Sequence, residues 1–244
     1  MVKTKTAIIF GVSGQDGSYL SHFLIKKGYR IIGVTRNKSS KNLYRLERLN
    51  IINKIKIIKG EASNLKFCKK IITNQINEIY FLSGYSSVTG SFVKPDISLK
   101  SNVLGLVNIL EIIKNYKFKI KLFNAGSGQF FGDNKKNLYN INSKLVPQSP
   151  YGVSKAASYW LTKIYRENYE IYCCTGILFN HESSLRSKEF VTKKIIDVSK
   201  KILKNKKLKL ELGNINIYRD WGWAPEYVEA IWLMLQQKKP RDLI

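Results

Sequence analysis

Residues 11–17 read Gly11-Val12-Ser13-Gly14-Gln15-Asp16-Gly17, three glycines at intervals of three, directly after the apolar run 7–10 and opening an amphipathic stretch over 18–26. Each glycine has a mechanical reason in a turn that carries a strand into a helix. One permits the tight turn, one lets the backbone approach a pyrophosphate, and one lets the helix pack close to the strand. The unpaired N–H groups of the helix N-terminus then face the anion. The pattern predicts a dinucleotide-binding turn made by Gly11, Ser13, Gly14, Gln15, Asp16 and Gly17.

Working outward, apolar runs predict strands at 7–10, 30–35, 55–59, 78–83, 121–125 and 172–179. Helical patterns cover 18–26, 64–74, 98–115 and 149–169 between them. This alternation predicts an α/β fold with a doubly wound, Rossmann-like parallel sheet. Beyond 180 the rhythm changes to a helix over 191–203, a strand over 207–212 and a helix over 225–237. The expected division is a dinucleotide-binding Rossmann domain over 1–180, carrying a catalytic Tyr and Lys, and a small C-terminal substrate lobe over 181–244.

Composition narrows the classes. No apolar run approaches the ~20 residues of a membrane span, so no membrane partner is expected. The N-terminus runs straight into a strand pattern, which predicts no signal peptide. Cys68, Cys173 and Cys174 show no CxxC spacing, so a reduced, cytoplasmic setting is expected. Two histidines, His22 and His181, are too few for a histidine-based metal site, and none is expected. The net charge of +25 raises nucleic-acid binding as a possibility. Yet 34 of the 42 basic residues are lysines scattered along the chain, without the concentrated arginines and aromatics of a groove. A lysine-rich background is the simpler reading, and no nucleic-acid partner is expected.

The end of the second strand, Thr35-Arg36-Asn37-Lys38, carries no carboxylate for a free ribose 2′-hydroxyl. Arg36 and Lys38 suit a 2′-phosphate, which favours NADP, although a solvated basic loop reads the same way. Glu61, after the third strand, stands where a carboxylate meets the adenine amino group. Tyr151-Gly152-Val153-Ser154-Lys155 puts a phenol and an ammonium on one helix face. A free phenol titrates near ~10, too high for a base at neutral pH. A neighbouring ammonium favours the phenolate, which can take a proton from a sugar hydroxyl as hydride leaves the carbon. The spacing alone is common by chance. The preceding dinucleotide turn and Ser127, at the end of the fifth strand, give it weight.

Three later segments are more distinctive: Leu178-Phe179-Asn180-His181-Glu182-Ser183, Phe190-Val191-Thr192-Lys193-Lys194-Ile195 and Arg219-Asp220-Trp221-Gly222. With the opening turn and Ser149-Pro150-Tyr151-Gly152-Val153-Ser154-Lys155, they resemble the extended short-chain dehydrogenase/reductases, most closely the GDP-mannose 4,6-dehydratase family. The likeness runs over essentially the whole chain. It implies a lyase acting on a GDP-sugar (GDP-mannose first), bound NADP and a homo-oligomer in which the loop over 36–40 contacts a neighbour's cofactor. It also implies that Asn180, Lys193 and Arg219 contact the sugar nucleotide. In that family hydride passes from C4 to NADP, a carboxylate removes the C5 proton, water leaves from C6, and the hydride returns to C6.

The chain departs from the family at the carboxylate. Its segment reads Ala125-Gly126-Ser127-Gly128-Gln129-Phe130, with serine for threonine and Gln129 for the glutamate. An amide has no useful basicity near neutral pH. Three readings stand. The dehydratase is slow or inactive; another group such as Glu182 or Asp133 serves; or the enzyme is a 4-keto reductase or C4 epimerase needing only Ser127, Tyr151, Lys155 and cofactor. A fourth, of another class, is a non-catalytic nucleotide-binding protein. Glu61 replaces the family's aspartate. The family also runs further, so a truncated lobe is expected, with 242–244 read as the start of one of its strands.

Overall fold

Along the first strand Ala7 and Ile9 face one way and Ile8 and Phe10 the other, and all four are fully buried. Such a strand needs cover on both faces, as in a parallel sheet flanked by helices. The computed structural model describes residues 4–132, 138–216 and 218–243. Six strands, β1 (Thr6–Phe10), β2 (Arg30–Thr35), β3 (Lys56–Lys59), β4 (Glu78–Phe81), β5 (Lys121–Ala125) and β6 (Cys173–Gly176), form one parallel sheet in the order β3-β2-β1-β4-β5-β6. The doubly wound sheet predicted from the sequence is thus present. The direction of winding reverses between β1 and β4, and ligand sites of such sheets open at that point.

The helices are α1 (Gln15–Lys26), α2 (Ser40–Arg48), α3 (Leu65–Ile71), α4 (Val88–Val93), α5 (Pro95–Leu99), α6 (Gly105–Asn115), α7 (Pro150–Tyr169), α8 (Val191–Lys204) and α9 (Ala224–Gln236). A π turn over Lys100–Leu104 joins α5 to α6. Leu20 and Leu24 of α1, Leu46 of α2 and Ile231 and Leu235 of α9 cover one face of the sheet. Cys68 of α3 and Leu106, Ile109 and Leu110 of α6 cover the other. Cys173 and Cys174 are consecutive strand residues, so they enter opposite core layers. A second, two-stranded parallel pair joins β7 (Asn180–Glu182) to β8 (Trp221–Trp223).

Three expectations change. No strand forms over 207–212: its alternating Leu and Lys meet no neighbouring strand, and Leu208 and Leu212 stay exposed. The last helix, expected in the appendage, packs against α1 and the main sheet. Residues 242–243 extend the main sheet rather than a substrate lobe. Leu243 accepts from the Ile177 N–H at 2.7 Å and donates to the Thr175 carbonyl at 3.3 Å. Asp242 holds it there through Arg166 (2.8 and 2.6 Å) and the Thr175 N–H (2.7 Å).

The glycine turn explains how α1 reaches β1. Gly11 has φ +90° and sits against the backbone after β4, where a Cβ would lie 2.9 Å from the Ser83 nitrogen. A Cβ on Gly17 would lie 2.2 Å from the Gly11 carbonyl oxygen and 2.8 Å from the Val12 Cα. Both obstacles are backbone, so Gly17→Ala must push the helix off the strand. We expect it to lower stability by about 1–3 kcal/mol, read as a lower urea midpoint. An unchanged midpoint would show that this packing does not constrain the fold.

Candidate active site

Helix α7 starts where its sequence says it should. Ser149 caps it by accepting from the Gly152 N–H at 3.0 Å, and Pro150 occupies the first turn. The next residues, Tyr151 and Lys155, are both buried against the end of β5. Lys155 Nζ donates to the Ala125 carbonyl at 2.8 Å. Ser127 follows β5; its Oγ accepts from the Gln129 N–H at 3.2 Å, and it lines the cavity with Tyr151. These side chains, with Gln129, line a cavity of about 2440 Å³ that runs back to the glycine turn. A pocket for one small molecule occupies roughly 300–1,000 Å³, so this one has room for two ligands.

Electrostatics at the phenol differ from the simple expectation. Burial pushes Tyr151 above its ordinary value; the Ser127 hydrogen bond pulls it down, Asp16 pushes it up, Arg186 pulls it down, and the net shift is upward. Burial brings Lys155 down to about 8. Its ammonium lies 5.9 Å from the Tyr151 ring centroid and is committed to the Ala125 carbonyl. The expected lowering of the phenol by Lys155 is therefore not what this structure shows. The cation that pulls on the phenol is Arg186.

The glycine turn fits a dinucleotide. Gly14 is the N-cap of α1 and lines the cavity, with only the Gly11 oxygen, at 3.2 Å, near where a Cβ would stand. The helix N–H groups are thus open to an anion. Arg36 and Glu61 also line the cavity and are exposed; Lys38 is not among the described lining residues. Ser13 reaches the cavity, but its hydroxyl is 3.0 Å from that of Thr35 and accepts from the Asn42 amide at 3.1 Å. Gln15 and Asp16 turn their side chains to the chain after β6. Gln15 donates to the His181 carbonyl at 3.0 Å and accepts from the Ser183 hydroxyl at 2.8 Å.

Asn180 and Arg219 line the same cavity. Lys193 does not do so among the described residues; it is paired with Asp197, one turn further along α8. Glu182, a candidate replacement base, is held by Arg186 Nε at 3.2 Å and by the Thr192 hydroxyl. Asp133, the other candidate, lies outside the described residues.

Sequence reasoning missed three residues here. Arg45 of α2 is buried against the Leu185 carbonyl and the Ser187 hydroxyl. Arg186 lines the cavity, and its four-residue spacing from Glu182 was the only local signal. His181, weighed only as a metal ligand, stacks on Tyr227 at 4.4 Å and 17°. Its Nδ1 is 2.8 Å from the Phe179 carbonyl oxygen and its Nε2 is 2.9 Å from the Asp16 carboxylate. Both ring nitrogens lie near oxygen acceptors, and the Asp16 carboxylate and the Phe179 carbonyl raise the ring above its ordinary value despite burial, which favours the imidazolium. Among the described residues, no group of three or more His, Cys, Asp or Glu converges as a metal site, and no helix is long and apolar enough to cross a membrane.

The family model for GDP-mannose 4,6 dehydratase matches residues 8–244. GDP-mannose 4,6 dehydratase 1 of Arabidopsis thaliana is 39% identical over 251 aligned positions, covering 98% of this chain and 69% of that protein. GDP-mannose 4,6-dehydratase of Vibrio cholerae is 37% identical, covering 98% of this chain and 66% of its own length. The chain thus spans about two thirds of these relatives. Among solved structures, a Methanobrevibacter ruminantium UDP-N-acetylglucosamine 4-epimerase superposes with TM-score 0.84 at 21% identity, covering 99% of this chain and 76% of that one. A Bacillus anthracis dTDP-glucose 4,6-dehydratase in complex with NAD gives 0.83 at 21%, covering 98% and 74%. At that identity the two structures speak for the fold alone.

The Asp16–His181 pair has a defined pH signature. Burial alone would lower His181, but the hydrogen bond and charge of Asp16 and the Phe179 carbonyl raise it overall. Burial alone would raise Asp16, but His181, Gln15 and Arg186 lower it overall. The histidine's contribution is full below its ordinary value near ~6.5 and is lost as pH rises through its raised folded value. The aspartate's is present above its ordinary value near ~3.9 and is lost as pH falls through its lowered one. The urea midpoint of His181→Asn should therefore fall furthest below the parent between about pH 4 and 6.5 and converge on it above. A gap that widens with alkalinity would refute the charged pair.

Proposed function

The chain belongs to the GDP-mannose 4,6 dehydratase family, and from that premise we propose that it converts a GDP-hexose, GDP-mannose first, to its 4-keto-6-deoxy form with NADP. One observation carries the reading: Ser127, Tyr151 and Lys155 line the same two-ligand cavity as the glycine turn. Bound NADP supplies the place where hydride is held between C4 and C6. In this reading the chain binds it through the turn residues and α1 N-terminus, with Arg36 at the 2′-phosphate and Glu61 at the adenine. Asn180 and Arg219 hold the sugar nucleotide, within a substrate lobe built on β7, α8 and β8. Ser127 and Tyr151 grip the C4 hydroxyl, and Tyr151 takes its proton. Lys155 fixes the end of β5 through Ala125 and keeps the site's floor in place. The three free, buried cysteines suit a cytoplasmic protein.

Gln129 favours a second reading, a 4-keto reductase or C4 epimerase of a nucleotide sugar. Those reactions need proton and hydride exchange at C4 alone, whereas elimination needs a base for C5 that an amide does not supply.

We also assign a homo-oligomer to this function. Phe92, Val93, Leu99, Val153, Trp160 and Ile164, on neighbouring helices α4, α5 and α7, are exposed apolar residues. A two-fold axis would lay this patch on its own copy and cover both, with Lys163, which lies over the Trp160 ring, at its rim.

In deuterated water with GDP-mannose and NADP, a 4-keto-6-deoxy product carrying deuterium at C5 is expected; a product without it sinks the dehydratase. Gln129→Glu should raise dehydration about 10²–10⁴-fold if a general base is what the parent lacks. C4 inversion, or net NADPH consumption with a 4-keto sugar, would select the second reading. For the assembly, Val153→Glu with Trp160→Glu should shift elution to the monomer volume while NADP binding is kept. A parent already eluting as a monomer would overturn that part.

A further inference from the structure

Arg45 lies on α2, yet the residue is 8% exposed and its side chain reaches across to a segment 140 residues away. Its Nε donates to the Leu185 carbonyl at 2.8 Å and its Nη2 to the Ser187 hydroxyl at 2.6 Å. Its Nη1 donates to the carbonyl of Ser13, inside the glycine turn, at 3.1 Å. Leu185 and Ser187 flank Arg186. Arg186 itself lies over the Phe190 ring at 3.5 Å, with its Nε 3.2 Å from Glu182, and lines the cavity with Tyr151.

A buried guanidinium is ordinarily matched by a carboxylate, because leaving water costs several kcal/mol. Arg45 instead spends its rigid fork on two carbonyl oxygens and a hydroxyl. Those acceptors belong to two separate parts of the chain, so the fork fits only when both are in place. The grip is stiff for the same reason, since a planar five-donor group bound at three points has no rotational freedom left.

We propose that Arg45 is a positioning residue that holds the Leu185 carbonyl and the Ser187 hydroxyl, on either side of Arg186, to the dinucleotide turn and so sets the Arg186 guanidinium in the cavity that Tyr151 lines. The placement of a cation in the catalytic site then depends on the shape of the cofactor's own turn. Arg45 touches neither phenol nor sugar and acts through Arg186.

The inference rests on the dehydratase-family reading only for its kinetic readout, so the test has two arms. The first is the pH profile of hydride transfer, followed as nicotinamide absorbance in single turnovers with GDP-mannose. Arg186→Met and Arg45→Met should each move the Tyr151 limb to higher pH, because the cation pulling the phenol down is gone or displaced. The double variant should move it no further than Arg186→Met alone. Ser187→Ala should move it less, and Arg45→Lys should recover part of the shift. A merely structural arginine would lower the urea midpoint and leave the limb where it was; that result, or additive shifts in the double variant, overturns the proposal.

The second arm needs no activity. Trypsin cleavage after Arg186 and Lys188, mapped by mass spectrometry, should be about tenfold faster in Arg45→Met than in the parent, relative to other sites. Equal rates overturn the proposal. Should Arg45→Met not fold, Ser187→Ala answers the same question, with faster cleavage expected and unchanged cleavage overturning it. If the parent transfers no hydride with GDP-mannose, the functional reading fails while the proteolysis arm still decides for or against Arg45.

Discussion

Helix α1 meets β1 backbone to backbone, with no side chain between Gly17 and the Gly11 carbonyl. Much else in the molecule follows from that contact. It aims the free N–H groups of α1 into the cavity. It also brings Gln15 and Asp16 to the chain that leaves β6, where they meet His181 and Ser183. Arg45 joins the same segment to the Ser13 carbonyl. The cofactor turn and the far side of the active site are therefore one hydrogen-bonded unit rather than two walls that happen to face each other.

That unit decides the chemistry available to Tyr151. The phenol and Lys155 are both buried, and burial moves each toward its uncharged form. A resting site of this kind keeps the phenol protonated and ready to donate a hydrogen bond to a substrate oxygen. The Arg186 guanidinium works against that desolvation. In the function proposed above, these groups serve hydride transfer at C4. Elimination is a separate demand on position 129, where an amide faces the cavity.

The Rossmann half was legible because strands buried on both faces read as plain apolar runs. Strands β2 and β5 lie at the ranges read from the sequence. The Tyr–Lys spacing was legible for the same local reason, since both residues sit on one helix. What could not be read was long-range. The π turn within 95–115 leaves the helical pattern unbroken. The alternation at 207–212 looks like a strand, but a strand exists only with a partner. An apolar helix face at 224–236 says that it is buried without saying against what, and it lies on α1. Lys193 was drawn to the site by resemblance, whereas its neighbour one turn along, Asp197, takes its charge. Arg186 gains its place from Arg45, which no spacing rule connects to it.

One outer edge of the main sheet is β3, whose sequence Lys-Ile-Ile-Lys places an exposed lysine at each end of two half-buried isoleucines. Open strand edges invite pairing with another chain, and charged residues on them oppose it. Two of the lysines that first raised the question of an anionic partner thus have a use that involves no partner. They oppose the pairing of this short, otherwise sticky edge with a second chain, so at β3 the charge guards against intermolecular sheets.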